Sequence, residues 1–258
     1  MLVSIITVNL NNQPGLKRTL ESVQGQKHTD LQYIIIDGGS KDGSLELIKK
    51  NKNHIDYWVS EADNGIYHAM NKGLSKARGE YCLFLNAGDY LKDSATLNSV
   101  FSKRRVEDLL IGRMLQTLSA KERLVSISDV TLDILTESSL PHPSTFIKTE
   151  FINKVGGFNE ELKIVSDWEF FLKALLIENC SYKLLNEVVT VFNMEGISND
   201  SEKRADLMLE RDQVKERLLN PIIWQAGYTI NELRKGVEPV QSNAPLLRLA
   251  KSLKRKLQ

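Results

Sequence analysis

The first hundred residues alternate between short apolar runs and stretches whose apolar residues recur every three or four positions. Residues 2–8 are rich in β-branched side chains, the composition of a strand buried on both faces. Asn11, Asn12, Pro14 and Gly15 turn the chain, and Leu16, Leu20 and Val23 follow at helical spacing. The same sequence of events repeats: a strand over 31–36 ending at Asp37, a loop over 38–43, a helix over 45–50, a strand over 55–59 ending at Glu61. A helix then runs from Asn64 and Gly65 to Ala77, and a strand over 81–85 ends at Asn86. Strand–helix alternation of this kind predicts an α/β fold with a mainly parallel sheet covered on both faces.

Past residue 100 the pattern changes. Residues 109–115 and 123–127 read as strands, possible arms of a hairpin, and 144–147 as a short strand. Residues 166–177 read as a helix and 182–192 as one or two strands. From Ser201 the chain is charged and helical, interrupted by Pro221, Pro239 and Pro245. The division expected is a domain over 1–195 and a helical C-terminal extension over 196–258.

The polar residues fall in a telling place. Asn9, Asp37, Glu61 with Asp63, and Asn86 with Asp89 each stand at or just beyond the C-terminal end of a predicted strand. Asn9, Asp37, Glu61 and Asn86 are 28, 24 and 25 residues apart, about one βα unit each. Ligands of open parallel sheets bind outside the carboxyl ends of the strands, so four ends deliver acids and amides to one rim. Turn and cap preferences explain any one of these positions equally well, but explain the whole set less well. The glycine loops that cradle phosphates are missing: Asn9-Leu10-Asn11-Asn12 follows the first strand, with no glycine before Gly15. A nucleotide held here would be gripped by side chains and a metal. The Asp37 carboxylate suits hydrogen bonds from a base or ribose, and Asp89 is a hard oxygen ligand for Mg²⁺ or Mn²⁺.

Composition narrows the partners. In 258 residues, a formal net charge of +1 provides no basic field for nucleic acid. Two distant cysteines, Cys82 and Cys180, suit a reducing compartment and read as buried free thiols. No stretch approaches a membrane span, and the N-terminus lacks the charged region of a signal peptide, so a cytoplasmic protein is expected. Leu246, Leu249, Leu253 and Leu257 share one face of a basic tail that holds five Lys and Arg and no acid. Such a helix can lie on the anionic inner face of the cytoplasmic membrane, or pack on its own domain or a partner.

Several segments carry a resemblance. Ser4-Ile5-Ile6-Thr7-Val8-Asn9 and Ile35-Ile36-Asp37-Gly38-Gly39-Ser40-Lys41-Asp42-Gly43-Ser44 resemble the opening of family 2 glycosyltransferases, which have the GT-A fold. The run from Ser60-Glu61-Ala62-Asp63-Asn64-Gly65 to Asn71-Lys72-Gly73 is similar to a signature of the family's bacterial surface-polysaccharide members, of capsule, exopolysaccharide and colanic-acid type. Phe84-Leu85-Asn86-Ala87-Gly88-Asp89 stands where the family carries its Asp-x-Asp metal motif. Val155-Gly156-Gly157-Phe158 with Ser166-Asp167-Trp168-Glu169 resembles its acceptor-side motif. The match covers roughly residues 1–195.

The resemblance implies roles. Thr7, Asn9 and Asp37 would hold the base and ribose of a nucleotide-sugar donor, Asp63 would face the nucleotide and Lys72 would approach the diphosphate. Asp89 would ligate Mn²⁺ or Mg²⁺, with His142 nearby. Asp167 would be the general base of an inverting transfer from a nucleoside-diphosphate sugar, a UDP-sugar first, to a hydroxyl of a cell-surface glycan or lipid-linked acceptor. The chain departs from the pattern at Asn86 and Gly88, which replace acids; Asn86 can still orient a ribose or a metal-bound water, but fewer carboxylates imply weaker metal binding. Blander readings stand beside these: Lys72 as an exposed helix lysine, Asp167 as an N-cap, His142 as a loop histidine, Trp168 as core rather than a platform for an acceptor sugar. Because of the diluted acids, a non-catalytic nucleotide-sugar or glycan-binding module is the alternative. A sugar-phosphate nucleotidyltransferase fits less well, for want of its glycine-rich loop.

Overall fold

The computed structural model describes residues 2–118, 121–193, 204–218 and 220–234. Its centre is β1 (Val3–Asn9), every residue of which is buried. β1 pairs in parallel with β2 (Leu31–Asp37) on one side and β4 (Tyr81–Phe84) on the other, and β2 pairs with β3 (Tyr57–Ser60). The crossovers that parallel pairing demands are α1 (Gln13–Gln24), α2 (Ser44–Lys50) and α3 (Ile66–Leu74). Local chemistry starts α1: the Asn12 side chain accepts from the Gly15 N–H at 3.1 Å, with Pro14 in the first turn.

Beyond β4 the sheet becomes mixed. In chain order come β5 (Tyr90–Leu91), α4 (Thr96–Val100), β6 (Leu109–Leu118), β7 (Lys121–Val125), α5 (Leu132–Glu137), β8 (Thr145–Lys148), α6 (Thr149–Val155), α7 (Ser166–Leu172) and β9 (Tyr182–Asn193). The strand order is β3-β2-β1-β4-β8-β6-β9-β5, with β7 hairpinned onto β6. The expected hairpin and the α/β class are therefore present, and 182–193 is one strand. The helix expected over 166–177 is interrupted: α7 ends at Leu172 and a π-type turn follows over Lys173–Ile177.

Alternation along β1 divides the core. Val3 and Ile5 join Leu16, Leu20 and Ile48 beneath α1 and α2, while Ile6 and Val8 join Met70, Leu74, Phe158 and Phe170 on the other face. Each such side chain stabilises by about 1.5–3 kcal/mol on burial. Cys82 and Cys180 are buried free thiols, and burial pushes them up to about 11 and about 12.

The charged C-terminal region forms α8 (Arg204–Leu218) and α9 (Pro221–Arg234), with Pro221 opening α9. Both dock on the sheet-bearing part: Arg217 donates to the buried Glu169 at 2.7 Å, and Trp224 packs on Trp168 at 5.8 Å between ring centroids. α9 leaves Ile222, Tyr228 and Ile230 exposed. The basic tail of 246–258 and Pro239 and Pro245 lie outside the described residues. Among the described residues, no helix is long and apolar enough to cross a membrane.

α3 lies close on the sheet because position 73 is glycine: a Cβ there would meet Ile6 Cγ2 at 2.4 Å. Gly73→Ala is expected to destabilise the fold by about 1–3 kcal/mol, as overpacking does, read as a lower urea midpoint at unchanged slope. An unshifted midpoint would show that the contact relaxes freely.

Candidate active site

A cleft of about 1150 Å³ opens at the carboxyl ends of β1 and β4, between the start of α3, the β6–β7 hairpin, α5 and the head of α7. The register of the three parallel strands creates one side of it. Asn9, Asp37 and Ser60 are direct neighbours across β1, β2 and β3. Asp37 accepts from Asn9 Nδ2 at 2.7 Å, from the Ser40 N–H at 3.0 Å and hydroxyl at 2.5 Å, and from the Ser60 hydroxyl at 2.6 Å. Burial pushes this carboxyl up, but the hydrogen bonds of Ser40, Ser60 and Asn9 outweigh it and hold it below the usual aspartate range. With four bonds accepted, Asp37 has no free lone pair for a ligand. Asn9 differs. Its amide nitrogen is spent on Asp37 and Ser40, while its Oδ1 is buried, without a partner, in a residue that lines the cleft.

The β4 end supplies the turn from Asn86 to Asp89, in which Gly88 adopts φ 112°. Thr19 of α1 braces it: its hydroxyl accepts from the Gly88 N–H at 3.0 Å and lies 2.7 Å from the Asp89 carbonyl, to which it donates. Asn12 Nδ2 donates to the Ala87 carbonyl at 2.9 Å. Asn86 and Asp89 both line the cleft, and Asn86 Oδ1 is buried without a partner. Asp63 lines it too, accepting from the Gly65 N–H at 3.1 Å at the entry to α3.

Across from this rim stands Asp167, in the first turn of α7 and not at its N-cap, which is Val165. His142 Nδ1 lies 3.3 Å from Asp167 Oδ2. The Tyr67 hydroxyl shares its proton between the Ile164 carbonyl at 2.7 Å and Asp167 Oδ1 at 3.0 Å. Burial pushes the Asp167 carboxyl up; the hydrogen bond and charge of His142, with the Tyr67 hydroxyl, overcome this and hold it below its ordinary value. Burial, with the Asp167 charge, drives Tyr67 well above its ordinary value, so it remains a donor. The second nitrogen of His142, Nε2, is buried without a partner.

The cleft thus gathers Asn9, Asp63, Asn86, Asp89, His142 and Asp167. It does not gather Thr7 or Lys72. Thr7 is fully buried beneath α1, where its hydroxyl accepts from Tyr33 at 3.2 Å. Lys72, in the last turn of α3, pairs with Glu61 at 2.7 Å. Trp168 is core: it donates to the Leu135 carbonyl at 2.7 Å, and Arg211 covers its ring. Sequence reasoning missed Tyr67, Lys163 and Arg211, all of which line the cleft. Tyr67 sits inside the quoted 60–73 segment; nothing in the sequence distinguishes Arg211 from the other charges of α8.

Among the described residues, no group of three or more His, Cys, Asp or Glu converges as a metal site. At the β4 end the cleft offers the Asp89 carboxylate, and it also holds the unpartnered Asn86 Oδ1 and His142 Nε2. That donor set fits a hard cation that draws its remaining ligands from phosphate oxygens.

Residues 4–103, from β1 into the segment before β6, match the model of Glycosyl transferase family 2. Over this segment the chain is similar to that family, and the likeness extends further along the chain. A glycosyltransferase of Mycobacterium tuberculosis is 29% identical over 210 residues, 79% of each chain. The fold is GT-A. The S. aureus TarS structure with UDP-GlcNAc superposes at TM-score 0.69 and 22% identity, covering 88% of this chain and 70% of that one. The Pyrobaculum calidifontis mannosyltransferase PcManGT, with GDP-Man and Mn²⁺, does so at 0.62 and 16%, over 99% and 80%.

The depressed Asp37 carboxyl links the rim to stability. Because its folded value lies below the unfolded one, its contribution is full above the unfolded value of about 3.9 and is lost as pH falls through the folded value. Urea unfolding from neutral pH downward should show stability falling below about pH 4, and Asp37→Asn should flatten that fall while lowering stability at neutral pH. An unchanged acid slope in the variant would mean that the network contributes nothing.

Proposed function

We propose that the chain moves a glycosyl group from a nucleoside-diphosphate sugar, a UDP-sugar first, to an acceptor hydroxyl by a single inverting displacement, with Asp167 as general base. The observation that carries this is the Asp167 carboxylate: ionised, fixed between His142 and Tyr67, and facing the rim of amides and acids across one cleft. A carboxylate so held takes the proton of a hydroxyl that comes within hydrogen-bond reach. His142 and Tyr67 set its orientation; neither needs to change charge during transfer.

On the nucleotide side the roles shift by one residue. Asn9 Oδ1, unpartnered, accepts from the base or ribose, while Asp37 acts at one remove by fixing the Asn9 amide and the loop at Ser40. Thr7 and Lys72 back this rim from behind its lining. Asp63 and Asn86 face the ribose and diphosphate. Asp89, with Asn86 and His142 near, would hold Mn²⁺ or Mg²⁺, which neutralises the leaving diphosphate. TarS with UDP-GlcNAc and PcManGT with GDP-Man and Mn²⁺ support a nucleotide sugar and a divalent ion. We read 1–195, which holds the nine strands found among the described residues, as the catalytic domain and 196–258 as an extension that completes its cleft. The acceptor is a glycan or lipid-linked glycan at the inner face of the membrane, reached by a peripheral protein.

Asp167→Asn is expected to lower kcat for UDP release by about 10²–10⁴-fold, with nucleotide affinity and unfolding midpoint preserved; wild-type turnover would remove the base from Asp167. In His142→Ala, burial is opposed mainly by the Tyr67 hydroxyl alone, so the acid limb of the kcat–pH profile should move to higher pH. An unmoved limb would detach His142 from the base. EDTA should stop turnover and Mn²⁺ restore it, with Asp89→Ala unresponsive to both; full turnover in EDTA would exclude the metal. Nucleotide binding with no turnover across donors and acceptors would make the chain a binding module.

A further inference from the structure

We propose that the acceptor carries a negative charge, a phosphate or a carboxylate close to the reacting hydroxyl, and that Arg211 is the residue that selects it. The proposal rests on the reading of Asp167 as base. Arg211 comes from α8, outside the part of the chain matched by the family model, and lines the cleft with Asp167 and Trp168. Its guanidinium carbon sits 4.3 Å from the centre of the Trp168 ring, and Nη1 donates to the Glu137 carbonyl at 3.1 Å. These contacts fix the plane of the group but neutralise no charge. Among the described residues, no carboxylate oxygen lies within 4.0 Å of it. Its neighbours on α8 contrast with it: Arg217 pairs with Glu169 at 2.7 Å and Lys215 with Asp212 at 3.3 Å. Arg123 and Lys163 also line the cleft, but Arg211 is the cation stacked on the residue next to Asp167; burial lowers its proton affinity, and the charges of Glu137, Asp167 and Asp212 oppose this without making contact. A guanidinium has five N–H donors in a planar fork that matches carboxylate and phosphate oxygens two at a time.

Position decides which anion. The nucleotide rim is built from the ends of β1 and β4 and the entry to α3. Arg211 stands at the other wall, on the ring of the residue next to Asp167 and on the carbonyl that ends α5. The preceding residue clamps that wall to the base. Glu210 accepts from the backbone N–H groups of Lys163, Ile164 and Val165 at 2.6, 2.8 and 3.1 Å, which is the segment leading into α7. Arg211 and Asp167 are therefore held on one rigid piece. Asp167 addresses a hydroxyl, and Arg211 addresses an anion at a fixed offset from it, on the same molecule.

The test loads the full-length protein with UDP and Mn²⁺ and titrates two matched pairs of probes, methyl β-D-glucuronide against methyl β-D-glucoside, and glycerol 3-phosphate against glycerol. Binding is followed by calorimetry and by tryptophan fluorescence. The wild type should bind the anionic member of at least one pair at least about tenfold more tightly, as charge-assisted hydrogen bonding implies. Arg211→Ala should bring that ratio to within about twofold, and Arg211→Lys, which keeps charge without the fork, should leave it in between. UDP affinity and the unfolding midpoint should be unchanged in both variants. Equal binding of charged and neutral probes by the wild type, or a preference that survives Arg211→Ala, overturns the proposal. So does a tenfold loss of UDP affinity in Arg211→Ala, which would give the arginine to the donor's diphosphate. A wild type that binds no UDP overturns the nucleotide-sugar reading itself, and this inference with it.

Discussion

Everything on the nucleotide side of the cleft depends on one buried carboxylate. Parallel strands have no tight turn to hold their ends in step, yet Asn9, Asp37 and Ser60 must lie level for their side chains to converge. Asp37 supplies the tie by accepting hydrogen bonds from both flanking strands and from the loop that follows its own. The charge is tolerated because every lone pair is used; an unpaired carboxylate in the same place would be strongly disfavoured. The cost is that Asp37 cannot also be the free acceptor that its position suggests. The opening is passed to Asn9, whose amide nitrogen binds inward and whose oxygen is left over.

That transfer shows how far the sequence could be read. The β-branched runs and the helical spacing after them place the first four strands and three crossovers, because burial on both faces leaves a continuous apolar signal. The same logic places polar residues at strand ends and so locates the rim. What it cannot supply is direction within a strand end. Thr7 and Asn9 lie two residues apart on one face of β1, yet Thr7 meets Tyr33 under α1 while Asn9 emerges into the cleft. Only the depth of the strand beneath its helix separates them. Lys72 was legible as a helix lysine but not as the partner of Glu61, since that pairing depends on how α3 lies across the sheet. The π-type turn after α7 and the docking of α8 were likewise invisible, because both are decided by contacts between distant segments.

Asp167 illustrates the opposite case, a residue legible in the sequence whose environment was not. Its three supports come from separate regions: Tyr67 from α3, the third crossover, His142 from the turn before β8, and Glu210, through the backbone of 163–165, from α8. Desolvation alone would protonate this carboxyl and disable it as a base. Two donors on its two oxygens, with the charge of His142, reverse the sign. Arg211 lies beyond 4.0 Å, near enough to feel the charge but too far to consume a lone pair. A direct arginine–carboxylate pair would have lowered basicity further and blocked access.

The same distinction between charge count and charge placement bears on the metal role proposed for Asp89, the one acid kept between positions 86 and 89. Loss of acids at positions 86 and 88 removes Coulomb attraction, but the turn that carries Asp89 is unusually constrained. Glycine permits the positive φ at 88, and the Thr19 hydroxyl bonds two successive residues of the turn, in effect pinning it to α1. Preorganised ligands lose little entropy on binding, and a diphosphate brings the negative charge that the protein omits. On the proposed reading, a site arranged in this way would hold its ion well only when the nucleotide is present. On the function proposed above, a binding order follows: the rim of amides with Asp63 and Asp89 would take metal and nucleotide together, and the wall with Asp167 and Arg211 would then be presented to the acceptor.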